Sequence, residues 1–212
     1  MIDDSFLVNG PERAQITLVL AHGAGAPMDT PYMNLVAEGV AGSAIRVVRF
    51  EFPYMAARRK SGKRSAPDRE PALLESWRAT IAKLGDAAKL VIGGKSMGGR
   101  IASMIADGAG AAGLVCLGYP FHPPGNPSRT RIKHLENLRT PALILQGTRD
   151  SFGRPDEVTS YHLSPKIRIQ WIEDGDHSLK PRARSGRSEA QNLSEAISHV
   201  RNFIADLKIR SR

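Results

Sequence analysis

A single cysteine, Cys116, stands in the whole chain. That excludes an internal disulfide, so the fold does not depend on an oxidising compartment. Cys116 lies in the apolar run from Gly113 to Gly118, which reads as a buried structural thiol rather than a nucleophile. Aromatic residues make up only 6%. Stacking platforms for single-stranded nucleic acid are therefore scarce, no nucleic-acid-binding motif accompanies the basic runs, and nucleic acid is not an expected partner. No apolar stretch approaches the length that spans a bilayer, so no membrane association is expected. The start, Met1 to Ser5, is acidic and lacks the basic and apolar parts of a signal peptide, which predicts a cytoplasmic protein. No His, Cys or carboxylate cluster has metal-ligand spacing, so neither a metal nor an organic cofactor is expected. Negative charge is also scarce: 21 acidic residues face 30 basic ones, a formal net charge of +9. That balance favours anionic partners without naming one.

What is present is the raw material of a parallel sheet. The 212 residues are 41% hydrophobic and 24% charged, ordinary values for a chain that buries a sizeable core, and no shift in composition marks a second domain. One domain over residues 1–212 is expected. Six short apolar runs punctuate the chain: Ile16–Ala21, Ile45–Phe50, Leu90–Gly93, Leu114–Leu117, Ala142–Gln146 and Ile167–Ile172. Most are near-continuous rather than alternating, as in strands buried on both faces. Between them the spacing predicts helices over Pro31–Val40, Pro71–Leu84, Met97–Ala106 and Glu189–Leu207, and a short one over Ile132–Leu138. Strand and helix in alternation give an α/β fold: a mostly parallel sheet of six to seven strands with helices on both faces. Such sheets place ligands at the carboxyl ends of their strands.

The chemistry is in the segments that follow those ends. Gly94-Lys95-Ser96-Met97-Gly98 is a G-x-S-x-G pentapeptide between a strand and a helix. A nucleophile on so sharp a turn takes strained backbone angles, and small neighbours avoid the clash. A hydroxyl needs a base, and the base needs an orienting acid. Asp150 follows the fifth run and His177 the sixth, in the order nucleophile, acid, base. Asp156 and Glu157 are alternative acids. Asp176 is adjacent to His177, and its side chain is expected to point elsewhere. A tetrahedral intermediate also needs two N–H donors. Met97, next to the nucleophile, offers one. Ala24, in the small-residue segment Ala21-His22-Gly23-Ala24-Gly25-Ala26, offers the other, with His22 buttressing that loop. His22, Tyr54, Tyr119, Phe121 and Phe152 are the candidates to line a substrate pocket. The stretch from Tyr119 to Thr140 is too short for a cap domain, so an open cleft is expected.

Several segments together resemble the α/β-hydrolase superfamily. They are His22-Gly23-Ala24-Gly25-Ala26-Pro27-Met28-Asp29, Phe50-Glu51-Phe52-Pro53-Tyr54-Met55, Lys95-Ser96-Met97-Gly98-Gly99-Arg100, the Gly118-Tyr119-Pro120-Phe121-His122-Pro123-Pro124-Gly125 stretch, Gln146 to Gly153, and Asp174-Gly175-Asp176-His177-Ser178. More narrowly the chain is similar to small, lid-poor relatives of dienelactone hydrolase, among them short bacterial proteins akin to the hydrolase-like domain of KANSL chromatin-complex subunits. The resemblance implies a Ser96–Asp150–His177 triad. It departs from dienelactone hydrolase proper, whose nucleophile is cysteine, so it does not carry that enzyme's substrate. The expectation is a serine hydrolase of the esterase or thioesterase kind, acting on a small acyl compound through an acyl-enzyme on Ser96. The alternative is a non-catalytic interaction module with a basic binding face. The basic runs Arg58–Arg64 and Lys180–Arg187 are both expected on the face that holds the triad, where they would favour an anionic substrate. Oligomeric state is not legible.

Overall fold

The computed structural model describes residues 5–207; the acidic start read at Met1–Asp4 lies outside them. All six apolar runs are strands: β2 (Ile16–Ala21), β3 (Ile45–Phe50), β4 (Leu90–Lys95), β5 (Gly113–Leu117), β6 (Ala142–Gly147) and β7 (Ile167–Ile172). A seventh, β1 (Phe6–Asn9), precedes them. The sheet order is β1-β3-β2-β4-β5-β6-β7. Every pairing is parallel except β1 with β3.

The continuous apolar pattern is explained by two cores, one on each face of the sheet. Along β6, Ala142 and Ile144 join one core while Leu143 and Leu145 join the other, and β2 divides likewise. Helices α3 (Glu70–Leu84) and α4 (Met97–Ala109) cover the first face with Leu73, Trp77, Ile101 and Ile105. Helices α1 (Pro31–Val40) and α6 (Glu189–Asp206) cover the second with Met33, Val36, Val200 and Phe203. Local signals set the helix starts. Thr30 caps α1 through Met33 N, with Pro31 at its first position, and Ser188 forms a capping box with Gln191 at the start of α6.

Three expectations change. The short helix expected over Ile132–Leu138 contracts to a single 3₁₀ turn, Lys133–Leu135. A helix not foreseen, α2 (Pro53–Ser61), takes up Arg58, Arg59 and Lys60, the start of what was read as a basic loop. A single-turn helix, α5 (Pro155–Val158), follows the Asp150 loop. From Tyr119 to Thr140 the chain holds turns and the 3₁₀ turn, so no cap covers the strand ends. Among the described residues no helix is long and apolar enough to cross a membrane.

Candidate active site

Ser96 sits between the end of β4 and the start of α4 with φ 51° and ψ −115°, a left-handed conformation that a side chain adopts only under constraint. The constraint is close packing. A Cβ on Gly98 would lie 2.5 Å from Ala21 O and 2.7 Å from His22 O, so only glycine lets the first turn of α4 press against the end of β2. Met97 N–H, at the first helical position, has no acceptor within the helix and lies at its positive end.

The loop after β2 is held from behind. His22 is fully buried. Its Nδ1 lies 2.7 Å from Gly23 O, and its Nε2 accepts from Phe52 N at 3.1 Å. A carbonyl only accepts and an amide only donates, so the ring is neutral with its proton on Nδ1. Burial lowers its pKa, consistent with that form. Tyr54 Oη donates to Ala24 O at 2.9 Å. With Gly23 O bonded back to His22, the planar trans peptide turns Ala24 N–H the opposite way. Edge-on aromatic contacts continue from His22 through Phe52 and Phe50 to Trp77. Phe50, Phe52, Tyr54 and Trp77 are thus gathered beneath this loop.

Asp150 and His177 meet across the ends of β6 and β7. His177 Nδ1 lies 2.8 Å from Asp150 Oδ2. Asp150 is fully buried, and its other contacts are donors: Phe152 N to Oδ1 at 2.9 Å and Gln146 Nε2 to Oδ2 at 2.9 Å. A carboxylate accepts, so Nδ1 carries a proton, and in the neutral ring the lone pair is left on Nε2. Phe152 also stacks obliquely on the imidazole, with centroids 4.2 Å apart. Asp176 turns away and caps its own loop through Ser178 N and Lys180 N. Glu157 lies 3.3 Å from His122 Nε2 and accepts from Arg154 N, while Asp156 is exposed on α5, so neither serves His177.

Ser96 and His177 open on one cleft of about 380 Å³, walled by Gly23–Pro27 with Tyr32, Met33, Lys95, Phe152 and Ser178. Of the expected pocket residues only Phe152 lines it. Tyr119 and Phe121 are fully buried core residues, a correction with a clear cause. Tyr119 Oη donates to Arg131 O, which turns the ring down behind β5, and Phe121 packs on it. His22 and Tyr54 support the cleft wall from behind.

Two residues with evident roles had none in the sequence reading. Gln146 ties the acid loop together: it binds Tyr119 N and donates to Asp150, Tyr119 O and Gly153 O. A polar residue closing an apolar strand was its visible signal. Lys95, inside the pentapeptide, donates from Nζ to His177 O.

Of the nine basic residues in the two runs expected at the rim, four are ion-paired. Arg59 is held by Asp29 and Glu51, Lys180 by Glu189, Arg182 by Asp174, and Arg187 by Glu195. Arg58, Lys60, Lys63, Arg64 and Arg184 make no ion pair with another described residue.

Comparison with known proteins agrees with this fold. The α/β-hydrolase domain family matches residues 14–205, and the chain belongs to that family. Similar solved structures include an α/β serine hydrolase without a lid from Xanthomonas campestris, at 21% identity and a TM-score of 0.68, covering 97% of this chain and 90% of that one. A dienelactone hydrolase from Anabaena variabilis superposes with a TM-score of 0.72 at 18% identity, covering 97% and 92%. Est1E from Butyrivibrio proteoclasticus, solved with ferulic acid bound, gives 0.66 at 13% identity, covering 97% and 95%.

Proposed function

We propose that the protein is a serine hydrolase that cleaves a carboxylic ester or related acyl compound through an acyl-enzyme on Ser96. The observation that carries this reading is one cleft shared by Ser96, on its strained turn, and His177, whose far nitrogen is bonded to buried Asp150. Ser96 Oγ attacks the substrate carbonyl while its proton passes to His177 Nε2. Asp150 stabilises the imidazolium that forms. Ala24 and Met97 N–H groups bind the oxyanion as the carbonyl becomes tetrahedral. The carbonyl re-forms, the bond to the leaving oxygen or sulfur breaks, and the imidazolium returns its proton to that group. Water then attacks the acyl-enzyme, losing a proton to the same base, and Ser96 is released with the acid product. The substrate is a small acyl compound, and the absence of a cap suits one that enters an open cleft.

The test is labelling of the purified protein with a small fluorophosphonate, beside Ser96→Ala. Stoichiometric labelling of the wild type that is lost in the variant is the expected result. A folded wild type that is not labelled would overturn the reading in favour of a binding module on a hydrolase fold.

A further inference from the structure

The position before Ser96 holds a lysine that is half-buried in the wall of the cleft. Lys95 Nζ donates to the main-chain carbonyl of His177 and lies 6.0 Å from the centre of the Tyr32 ring. No carboxylate is in ion-pair contact with it among the described residues, although the fields of Asp150 and Asp176 reach it. A half-buried ammonium without a contacting anion is unfavourable, so its presence calls for a cause.

The cause is where it reaches. Ser96 follows β4 and His177 follows β7, and β5 and β6 lie between those strands. Among the described residues, the one hydrogen bond between elbow residues 94–98 and the His177 loop is that of Lys95. It crosses the end of β5 at Gly118. Gly118 has φ +70°, and a Cβ there would lie 2.7 Å from His177 O and 3.1 Å from Lys95 Nζ. Any other residue would crowd both ends of the bridge.

We infer that Lys95 is a positioning residue: its ammonium clamps the His177 main chain to the elbow and so fixes the imidazole against the Ser96 hydroxyl. This rests on the hydrolase reading above. Burial lowers the Lys95 amine to about 8, against the pull of Asp150 and Asp176, so the charged clamp is present at neutral pH and weakens above it. The groups facing the amine are Asp150 from the loop after β6, Asp176 and His177 from the loop after β7, and Tyr32 from α1. The Tyr32 hydroxyl is raised further by burial and stays neutral through this range.

The experiment measures fluorophosphonate labelling rates across pH for the wild type, Lys95→Met and Lys95→Arg, with the His177 imidazole followed by NMR titration. Lys95→Met is expected to label about 10²-fold more slowly at neutral pH, the size of an ångström-scale misplacement. The loss should fall on the rate constant rather than on reagent binding. The wild-type decline above pH 8 should vanish in Lys95→Met and move to higher pH in Lys95→Arg, which should recover most of the rate. Removing the cation should also raise the His177 titration midpoint. Wild-type labelling in Lys95→Met, with an unchanged His177 titration, would overturn the proposal. If the wild type itself is not labelled, the hydrolase reading fails, and an unchanged His177 midpoint in Lys95→Met separately defeats the clamp. Gly118→Ala crowds the bridge from β5 and should also slow labelling. It gives the second reading should Lys95→Met not fold, and full labelling there would likewise count against the clamp.

Discussion

The two arms of the proposed catalytic site are held in place by different means. The acid–base arm is built from side chains. Asp150 is bonded to His177, Gln146 and Phe152 N, and the His177 loop is braced where Arg182 and Arg149 engage Asp174, whose carboxyl is held near 2 chiefly by Arg182. The nucleophile–oxyanion arm is built from backbone shape: a left-handed serine, a glycine pressed on the end of β2, and a peptide turned by His22. The difference follows from the task. A base must be kept in one tautomer and one orientation, which takes directed hydrogen bonds. A nucleophile and its oxyanion donors must be left unpaired and facing the cleft, which takes strain and close approach.

The sharpest way to break the comparison is to change the chemistry of the acid arm without its shape. Asp150→Asn keeps the size but offers His177 Nδ1 an amide donor or a weaker acceptor. The ring then loses its fixed tautomer, and labelling is expected to slow by roughly 10³- to 10⁴-fold. Thermal unfolding by circular dichroism should show the fold retained. A variant within tenfold of the wild type would mean that another group orients the base.

Next in size is a test of whether the arms fail differently. Gln146→Leu strips partners from Tyr119 N and from the buried Asp150 carboxylate at once, so roughly 3–5 kcal/mol of stability should go, measured by urea unfolding. Gly98→Ala instead forces a methyl group against two carbonyls. It should slow labelling more than it lowers stability, because the backbone yields at the elbow. Equal effects of the two on both readouts would erase the distinction.

Lys95 belongs to both arms, and its titration gives a third test. Its amine sits at about 8 in the fold against 10.5 as the ordinary value. The native state therefore holds fewer protons than the unfolded chain between those values. The cost of the buried charge is full below pH 8 and is relieved as pH rises from 8 towards 10.5. Over that window the wild type should gain up to about 3 kcal/mol relative to Lys95→Met. Parallel stability–pH curves for the two proteins would show that the amine is solvated.

What the sequence disclosed follows the same division. The turn at Ser96, the positions of Asp150 and His177 and the place of His22 behind its loop were legible because each is a local pattern at a strand end. Strand β1 was not, since four residues on a sheet edge carry no period and gain their order only by pairing with β3. Helix α2 was missed because its polar composition hides any stripe and its first turn is capped from a distance, by Asp68 accepting from Tyr54 N. Pro53 at its start and Gly62 in a left-handed cap at its end were the signals available. Tyr119 and Phe121 were misplaced because an aromatic near a strand end serves cleft and core equally well until its neighbours are known.

The smallest effect concerns charge, and it too separates the arms. The basic run on the acid–base side, Lys180–Arg187, is mostly paired, whereas among the described residues Arg58 on the oxyanion side donates only to Gly25 O, and Lys60, Lys63 and Arg64 beyond it make no ion pair. Paired charges cancel at a distance, so any steering of an anionic substrate comes from the α2 side. Exposed charges are screened within about 10 Å at 0.1 M salt, so the effect is modest. For an anionic ester, kcat/KM should fall by about threefold between low and high salt, while a neutral ester of the same acyl group stays constant. The double variant Lys60→Gln/Lys63→Gln should remove most of that dependence, and Arg184→Gln very little. Identical salt profiles for the two esters would leave the positive surface without a part in substrate capture.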